Sequence, residues 1–111
     1  MNYLFLVYSN GQVESLPAKE RELFDEACRF SSELLRESGY LLATVDLRRD
    51  TAVTLHRQHE TLLLSDDPPT TAEKLVGVCF MNARDLNEVI QLASKMPQLK
   101  YGPISIWASS A

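Results

Sequence analysis

The sequence predicts an α+β fold in which an antiparallel sheet carries two helices on one face. Three observations support this prediction. The predicted elements run strand, helix, strand, hairpin, strand, helix, strand; two of the strands are apolar on both faces; and both helices repeat apolar residues at spacings of three and four. Two β-α-β halves around a hairpin insertion are typical of a ferredoxin-like sheet. Right-handed crossovers place both helices on the same side of that sheet.

Length and charge narrow the class of protein. The chain has 111 residues, so we expect residues 1–111 to form a single domain. Fifteen acidic against eleven basic residues argue against direct nucleic-acid binding, which favours a basic face. No apolar run approaches the ~20 residues that a membrane span needs. Two cysteines are too few for a disulfide scaffold, which favours a reduced, cytoplasmic protein.

The first half of the chain predicts a buried strand followed by a long helix. Residues 3–8 are apolar on both alternating faces, which indicates a strand in the middle of the sheet. The helix is predicted from about Pro17 to Ser38, with Ser15 as its cap and Gly39 ending it in the left-handed conformation. Its predicted buried stripe consists of Leu23, Ala27, Phe30 and Leu34, widened by Phe24 and Leu35. A second strand is predicted over residues 40–48.

The middle of the chain predicts a hairpin and then a second buried strand. The hairpin strands are predicted over Thr51–Arg57 and Glu60–Leu64, with the turn at Gln58 and His59. Residues 66–71 contain adjacent prolines and are predicted to break regular structure. Leu75–Met81 is again apolar on both faces and predicts a buried strand.

The last third predicts a capped helix and a final strand. Asp85 and Glu88 have the spacing of a capping arrangement. The helix behind them is predicted to stop near Pro97, and the last strand to cover Ile104–Ala108. The residues predicted to face the core from this helix are Leu86, Val89, Ile90 and Ala93.

The two strands that are apolar on both faces predict a homodimer. Helices on one side cover only one face of the sheet, and the other face would expose more apolar surface than a monomer usually does. We therefore expect a second copy to pack on the open face.

The candidates for chemistry are few. His56 and His59 would point to opposite faces of a strand and lack further ligands, so no metal site is expected. Cys28, on the first helix, is either a small packed hydrophobe or a reactive thiol. Asp66 and Asp67 either open a turn or supply an acid or base at the rim of a pocket. Tyr8 ends a central strand, where it either packs or lines a cleft.

Several segments resemble a known family in their order and spacing. They are the opening strand YLFLVY, Leu16-Pro17 at the helix entry, Asp66-Asp67-Pro68-Pro69, Glu73-Lys74-Leu75-Val76-Gly77, and Asp85-Leu86-Asn87-Glu88. Together they resemble the YCII-related proteins, in the subgroup named for an Asp-Gly-Pro-Phe (DGPF) motif, over nearly the whole chain. Asp66 and Pro68 match that motif, whereas Asp67 replaces its glycine and Pro69 its phenylalanine.

The resemblance implies a ferredoxin-like fold that assembles into a dimeric α+β barrel. Many relatives have no assigned activity, some are fused to sigma factors, and others carry a helix histidine near an aspartate that suggests acid–base chemistry. Counting back from Gly39 places Cys28 at the approximate position of that histidine, and the first helix contains no histidine. This chain therefore departs from a histidine–aspartate mechanism.

The expected function is binding of a small molecule in a cleft near the Asp66 loop, with Asp66 as catalytic acid or base. Tyr8, Cys28 and Glu73 are the further ligand-binding candidates, and no cofactor is expected. One alternative is a non-catalytic interaction module, for example accessory to sigma-factor-type transcription machinery. Another is a cofactor-independent monooxygenase of the dimeric barrel type, which shares the architecture but not these loop motifs. The residues leave open whether the protein is an enzyme.

Overall fold

The computed structural model describes residues 1–47, 52–65 and 74–110. Its helices and strands are, in chain order, β1 (Asn2–Ser9), α1 (Ala18–Glu37), β2 (Leu41–Asp46), β3 (Thr54–Gln58), β4 (Thr61–Ser65), β5 (Lys74–Asn82), α2 (Leu86–Ser94) and β6 (Ile104–Ala108). Two short 3-10 turns lie at Gln12–Ser15 and Pro97–Tyr101. The predicted break at 66–71 falls outside the described residues.

Four strands form one antiparallel sheet in the order β2-β5-β1-β6. This arrangement confirms the predicted α+β fold. The strands with the most apolar sequences, β1 and β5, occupy the centre, where both of their edges are hydrogen-bonded. Among the described residues, β3 and β4 pair only with each other, as a separate two-stranded sheet.

The core lies between the helix-facing side of the sheet and α2. Burial alternates along β1, so that Tyr3, Phe5 and Val7 face inward. Met81 pairs with Tyr3 and Cys79 with Phe5 in the buried layer. Phe5, Met81 and Val89 of α2 are the largest fully buried side chains among the described residues. The other side of the sheet, which we call the outer face, carries Leu4, Leu6, Tyr8, Ala43, Val45, Val78, Phe80 and Trp107.

The rotation of α1 differs from the prediction. Leu23, Phe30 and Leu34, predicted to be buried, are more than half exposed, and Phe30 is 69% exposed. The side that faces the protein instead contains Phe24 and Cys28. The Phe24 ring meets Tyr101 edge-on, with 4.9 Å between the ring centroids. Phe24 and Leu35, predicted at the margin of the stripe, are the partly buried residues, whereas the predicted centre is exposed, because α1 has two neighbouring apolar stripes and packs by the less apolar one.

The second helix is capped as predicted but buries fewer residues. The Asp85 carboxylate accepts a hydrogen bond of 2.9 Å from the Glu88 backbone N–H. Val89 and Ala93 are buried, whereas Leu86 and Ile90 are about half exposed, contrary to the prediction. A helix of nine residues that packs against one sheet presents only a narrow stripe to the core.

The turns explain where the elements begin and end. Gly39 follows α1 with a φ of 83°, as predicted for a glycine that ends a helix. Ser15 does not cap α1: it lies in a 3-10 turn, and Pro17 occupies the position before the helix. The hairpin turn is at His59 and Glu60, one residue later than predicted.

Candidate functional site

Polar side chains gather at one end of the sheet, on its helix-facing side. Thr44 and Asp46 of the edge strand β2 pair with Cys79 and Gly77 of β5. Gly77 and Cys79 are buried in the same layer as Val7, which places Thr44 and Asp46 on that side too. A Cβ at Gly77 would lie 3.9 Å from Asp46 Oδ1. The glycine therefore leaves space beside the carboxylate.

Cys79 is held by its cross-strand neighbour. Its Sγ lies 3.5 Å from Thr44 Oγ1, within hydrogen-bonding distance for sulfur. Burial raises the pKa of the Cys79 thiol, the hydrogen bond from Thr44 acts in the opposite direction, and the negative charge of Asp46 raises it further. Cys79 is therefore a protonated, packed thiol at neutral pH.

Cys28 approaches the same carboxylate from α1. Burial raises the pKa of its thiol to about 11, with further contributions from the charges of Asp25 and Asp46. At neutral pH Cys28 is thus an S–H group that can donate a hydrogen bond, and its environment does not favour a nucleophilic thiolate. We call Cys28, Thr44, Asp46 and Cys79 the thiol–carboxylate cluster.

This cluster combines an exposed carboxylate with two protonated thiols. Asp46 is exposed because β2 is an edge strand, so a ligand can reach it. A carboxylate in that position can accept a proton from an acidic hydroxyl group, while S–H and O–H groups nearby can donate to oxygen atoms. The arrangement suits proton transfer better than covalent catalysis by cysteine.

The structure separates two of the predicted site residues. Tyr8 lies at the same end of the sheet, where it pairs with Leu75, but alternation places it on the outer face with Leu4 and Leu6. Cys28 lies on the opposite, helix-facing side, so the two do not line one cleft within a single chain. Asp66 and Glu73 fall outside the described residues.

Thr44 and Asp46 were not among the site residues predicted from the sequence. A signal was present, because these two polar residues alternate with Ala43 and Val45 in a strand. Such a pattern predicts that they share one face. The pattern does not show whether Thr44 and Asp46 lie on the side of the sheet that α1 covers or on the opposite side.

Two cavities lie elsewhere on the described part of the chain, and neither is lined by a residue of the cluster. One, of about 610 Å³, is an open groove between the first half of α1 and the Pro97–Tyr101 turn. Its walls include Phe24 and Ala27, the latter adjacent to Cys28 in sequence. The other, of about 360 Å³, lies on the outer face between Leu4, Phe80 and Trp107. The first cavity is the nearer one to the cluster in sequence, because its wall includes the α1 residue that precedes Cys28.

The described residues contain neither a candidate metal site nor a helix that could span a membrane. Within 1–47, 52–65 and 74–110, no group of three or more His, Cys, Asp or Glu side chains is arranged to hold a metal ion. His56 lies on exposed β3 and His59 in the hairpin turn. Among the described helices, none is both long and apolar enough to cross a membrane.

Comparison with known proteins gives a family and a fold. A family model described as YCII-related domain matches residues 1–108. Among solved structures, the chain is similar to 5-chloro-2-hydroxyhydroquinone dehydrochlorinase from Burkholderia phenoliruptrix AC1100, in complex with 2,5-dihydroxybenzoquinone. The TM-score is 0.58 at 14% identity, over 99% of this chain and 94% of that chain, which shows that the fold is shared. No curated protein matches the chain by sequence.

Proposed function

Because the chain belongs to the YCII-related domain family, we propose that it binds a small molecule on the helix-facing side of its sheet and acts on it by carboxylate acid–base chemistry. The observation that carries this proposal is the position of Asp46, an exposed carboxylate on the same face of the edge strand as Thr44, whose hydroxyl lies 3.5 Å from the Cys79 thiol. Asp46 accepts a proton from a hydroxyl group of the ligand. The S–H group of Cys28 donates a hydrogen bond to an oxygen atom of the ligand.

Asp66 and Glu73 belong to the same proposal. β5 begins at Lys74, the residue after Glu73, and β2 ends at Asp46. The first residue of β5 thus lies at the end of the sheet where β2 ends with Asp46. On this proposal Asp66 is a second acid or base and Glu73 a ligand contact at the mouth of the site.

The ligand class that we propose is a small hydroxylated ring. The structural neighbour was solved with 2,5-dihydroxybenzoquinone. A protonated phenolic hydroxyl group on such a ring donates a hydrogen bond to a carboxylate, which can take its proton as a general base, and the other ring oxygens accept hydrogen bonds from thiols and hydroxyls. Gly77 has no side chain to occupy the space beside Asp46.

Calorimetric titration with a panel of hydroxylated phenols, whose hydroxyl groups keep their protons at neutral pH, tests the proposal. We expect a saturable complex with the wild-type protein and at least about tenfold weaker binding by Asp46→Asn, which keeps the shape but removes the charge. Glu33→Gln, which neutralises an exposed carboxylate elsewhere on α1, is the matched control and should bind like wild type. Mass spectrometry of the complex excludes a covalent quinone adduct.

Two results would contradict this proposal. The first is a wild-type protein that binds no member of the panel, which is the outcome that a non-catalytic interaction module predicts. The second is equal binding by wild type and Asp46→Asn, which would show that the cluster is not part of the binding site.

The assembly that we propose is a homodimer through the outer face, forming a dimeric α+β barrel. That face exposes Phe80, Val45 and Trp107, each by about half. Large aromatic and aliphatic side chains gathered on one side of a sheet are typical of a protein–protein contact. In such a dimer Tyr8 lies in the interface rather than in the ligand cleft of its own chain.

A further inference from the structure

Thr44 lies at the boundary between the buried layer of the sheet and its open edge. The residue is exposed because β2 is an edge strand, and its Oγ1 lies 3.5 Å from the Sγ of Cys79. Cys79 itself is only 6% exposed. One side of the threonine hydroxyl therefore meets a buried thiol, and the other side is open to a molecule that approaches the edge of the sheet.

The direction of the hydrogen bond between these two side chains follows from the state of the thiol. Burial raises the pKa of Cys79, so the group carries its proton at neutral pH. A buried donor needs an acceptor, and within the described part of the chain the Thr44 hydroxyl is the side-chain partner of this thiol. Cys79 therefore donates, and Thr44 accepts.

Accepting this hydrogen bond leaves the proton of the Thr44 hydroxyl free. A threonine hydroxyl has one proton and two lone pairs, and the thiol occupies one of the lone pairs. Thr44 makes no second side-chain hydrogen bond to any of the described residues. The hydroxyl is thus a donor on the open side of the thiol–carboxylate cluster, and the thiol behind it fixes its orientation.

Thr44 and Asp46 form a donor–acceptor pair along β2. They alternate with Val45 and therefore share the helix-facing side of the strand. Two residues of strand separate them by about 7 Å. A single ligand atom would reach both groups only at the limit of two hydrogen bonds of about 2.8 Å in line. The pair fits two oxygen atoms of one ligand better: a hydroxyl group facing Asp46 and an acceptor facing Thr44.

The Thr44 hydroxyl is a stronger donor than the thiols beside it. An S–H group such as that of Cys28 is a weak hydrogen-bond donor, whereas an O–H group donates well. A ligand without the second oxygen atom forfeits the hydrogen bond from Thr44 while keeping the one to Asp46. The cluster therefore discriminates between ligands by the number of their oxygen atoms.

We propose that Thr44 is a specificity-determining residue of the small-molecule site. Its hydroxyl, held by the Cys79 thiol, donates a hydrogen bond to a second oxygen atom of the ligand and selects rings with two oxygen substituents over rings with one. The inference rests on the site proposed above and narrows its ligand class. In this arrangement Asp46 binds one ring hydroxyl and Thr44 recognises the other oxygen.

Calorimetric titration with catechol, resorcinol, hydroquinone and phenol tests the inference. We expect wild type to bind at least one of the three dihydroxy compounds at least about fivefold more tightly than phenol. Thr44→Val keeps the β-branched shape but removes the hydroxyl, so this preference should fall below about twofold. Thr44→Ser, the matched control, keeps the hydroxyl and should retain the preference. Damage to the fold would weaken the binding of phenol as well, so the ratio of the two dissociation constants reports selection alone.

Three results would overturn the inference while leaving the proposed function in place. They are a wild-type protein without the preference, a Thr44→Val variant that keeps it, and a Thr44→Ser variant that loses it as Thr44→Val does. In each case Asp46→Asn would still weaken binding. A wild-type protein that binds none of the four compounds would instead overturn the proposed function, and this inference with it.

Discussion

Thr44 and Cys79 are cross-strand partners whose Oγ1 and Sγ atoms lie 3.5 Å apart, on the side of the sheet that α1 covers. Two residues further along β2, Asp46 faces Gly77, which has no side chain. One edge strand therefore brings a hydroxyl and a carboxylate to the thiols of Cys28 and Cys79. This register is the structural basis of the candidate site.

The charge of Asp46 should control the reactivity of Cys28. Burial, Asp25 and Asp46 together raise the pKa of this thiol to about 11, so its alkylation at neutral pH should be slow and should accelerate as the pH approaches that value. Asp46→Asn removes one cause of the upward shift, so the pKa should fall and alkylation at a given pH should be faster. The measurement is the rate of iodoacetamide labelling against pH in a Cys79→Ser background. Glu22→Gln is the control and should leave the labelling rate against pH unchanged. If Asp46→Asn also leaves it unchanged, the charge of Asp46 does not act on the Cys28 thiol.

Stability should fall at alkaline pH because of the same thiol. The folded pKa of Cys28 lies above its ordinary value of 9.0, so folding favours the protonated form. That contribution is fully present below pH 9 and is lost as the pH rises through about 11. Urea unfolding at intervals from pH 8 upward checks this, with Cys28→Ser expected to flatten the decline. A decline of equal slope in Cys28→Ser would assign it to other groups.

Gly102→Ala should be severely destabilising. A Cβ at this position would overlap the Tyr8 carbonyl oxygen, a backbone atom that cannot move aside without disturbing β1. We expect a loss of about 3 kcal/mol or more in the free energy of unfolding. Gly77→Ala is the control: its Cβ would meet ordinary contacts of 3.4 Å or more, and the loss should stay below about 1 kcal/mol. Equal losses in urea denaturation would contradict the difference in packing.

Asp85→Ala should remove the cap of α2. The Asp85 side chain accepts a hydrogen bond from the Glu88 backbone N–H, which would otherwise lack a partner within the helix. The expected cost is about 1 kcal/mol, and Asp85→Asn should recover most of it. Urea denaturation of the two variants measures both values. If Asp85→Asn is as unstable as Asp85→Ala, the carboxylate charge, not the hydrogen bond, carries the effect.

Phe80→Lys should disrupt the homodimer proposed through the outer face. Phe80 stands on a central strand of that face and is about half exposed, so a lysine there is tolerated by the monomer but not in a packed interface. Phe30→Lys, on the exposed side of α1, provides the control. Size-exclusion chromatography with light scattering gives the masses. Dissociation by Phe30→Lys alone would move the contact to the helix layer.

The order of elements followed from local patterns. Residues 3–8 and 75–81 are apolar on both faces, and the structure places them in the two central strands because only the centre of a sheet has both edges paired. Gly39 and Asp85 marked a helix end and a helix start through interactions within a few residues. Such signals depend on nearby chain positions and are therefore visible in the sequence.

The face of α1 that meets the protein, and with it the site, was decided by tertiary structure. Leu23 and Phe24 are neighbours in sequence but point about 100° apart on a helix, so each begins its own apolar stripe. The stripe that begins at Phe24 is the one that faces the protein. Phe24 makes an edge-on contact with Tyr101, which lies in a turn more than seventy residues later. That rotation turns Cys28 toward Asp46. The sequence by itself determined which segments form strands and helices; only long-range packing determined which of two similar helix faces is buried and which polar side chains meet there.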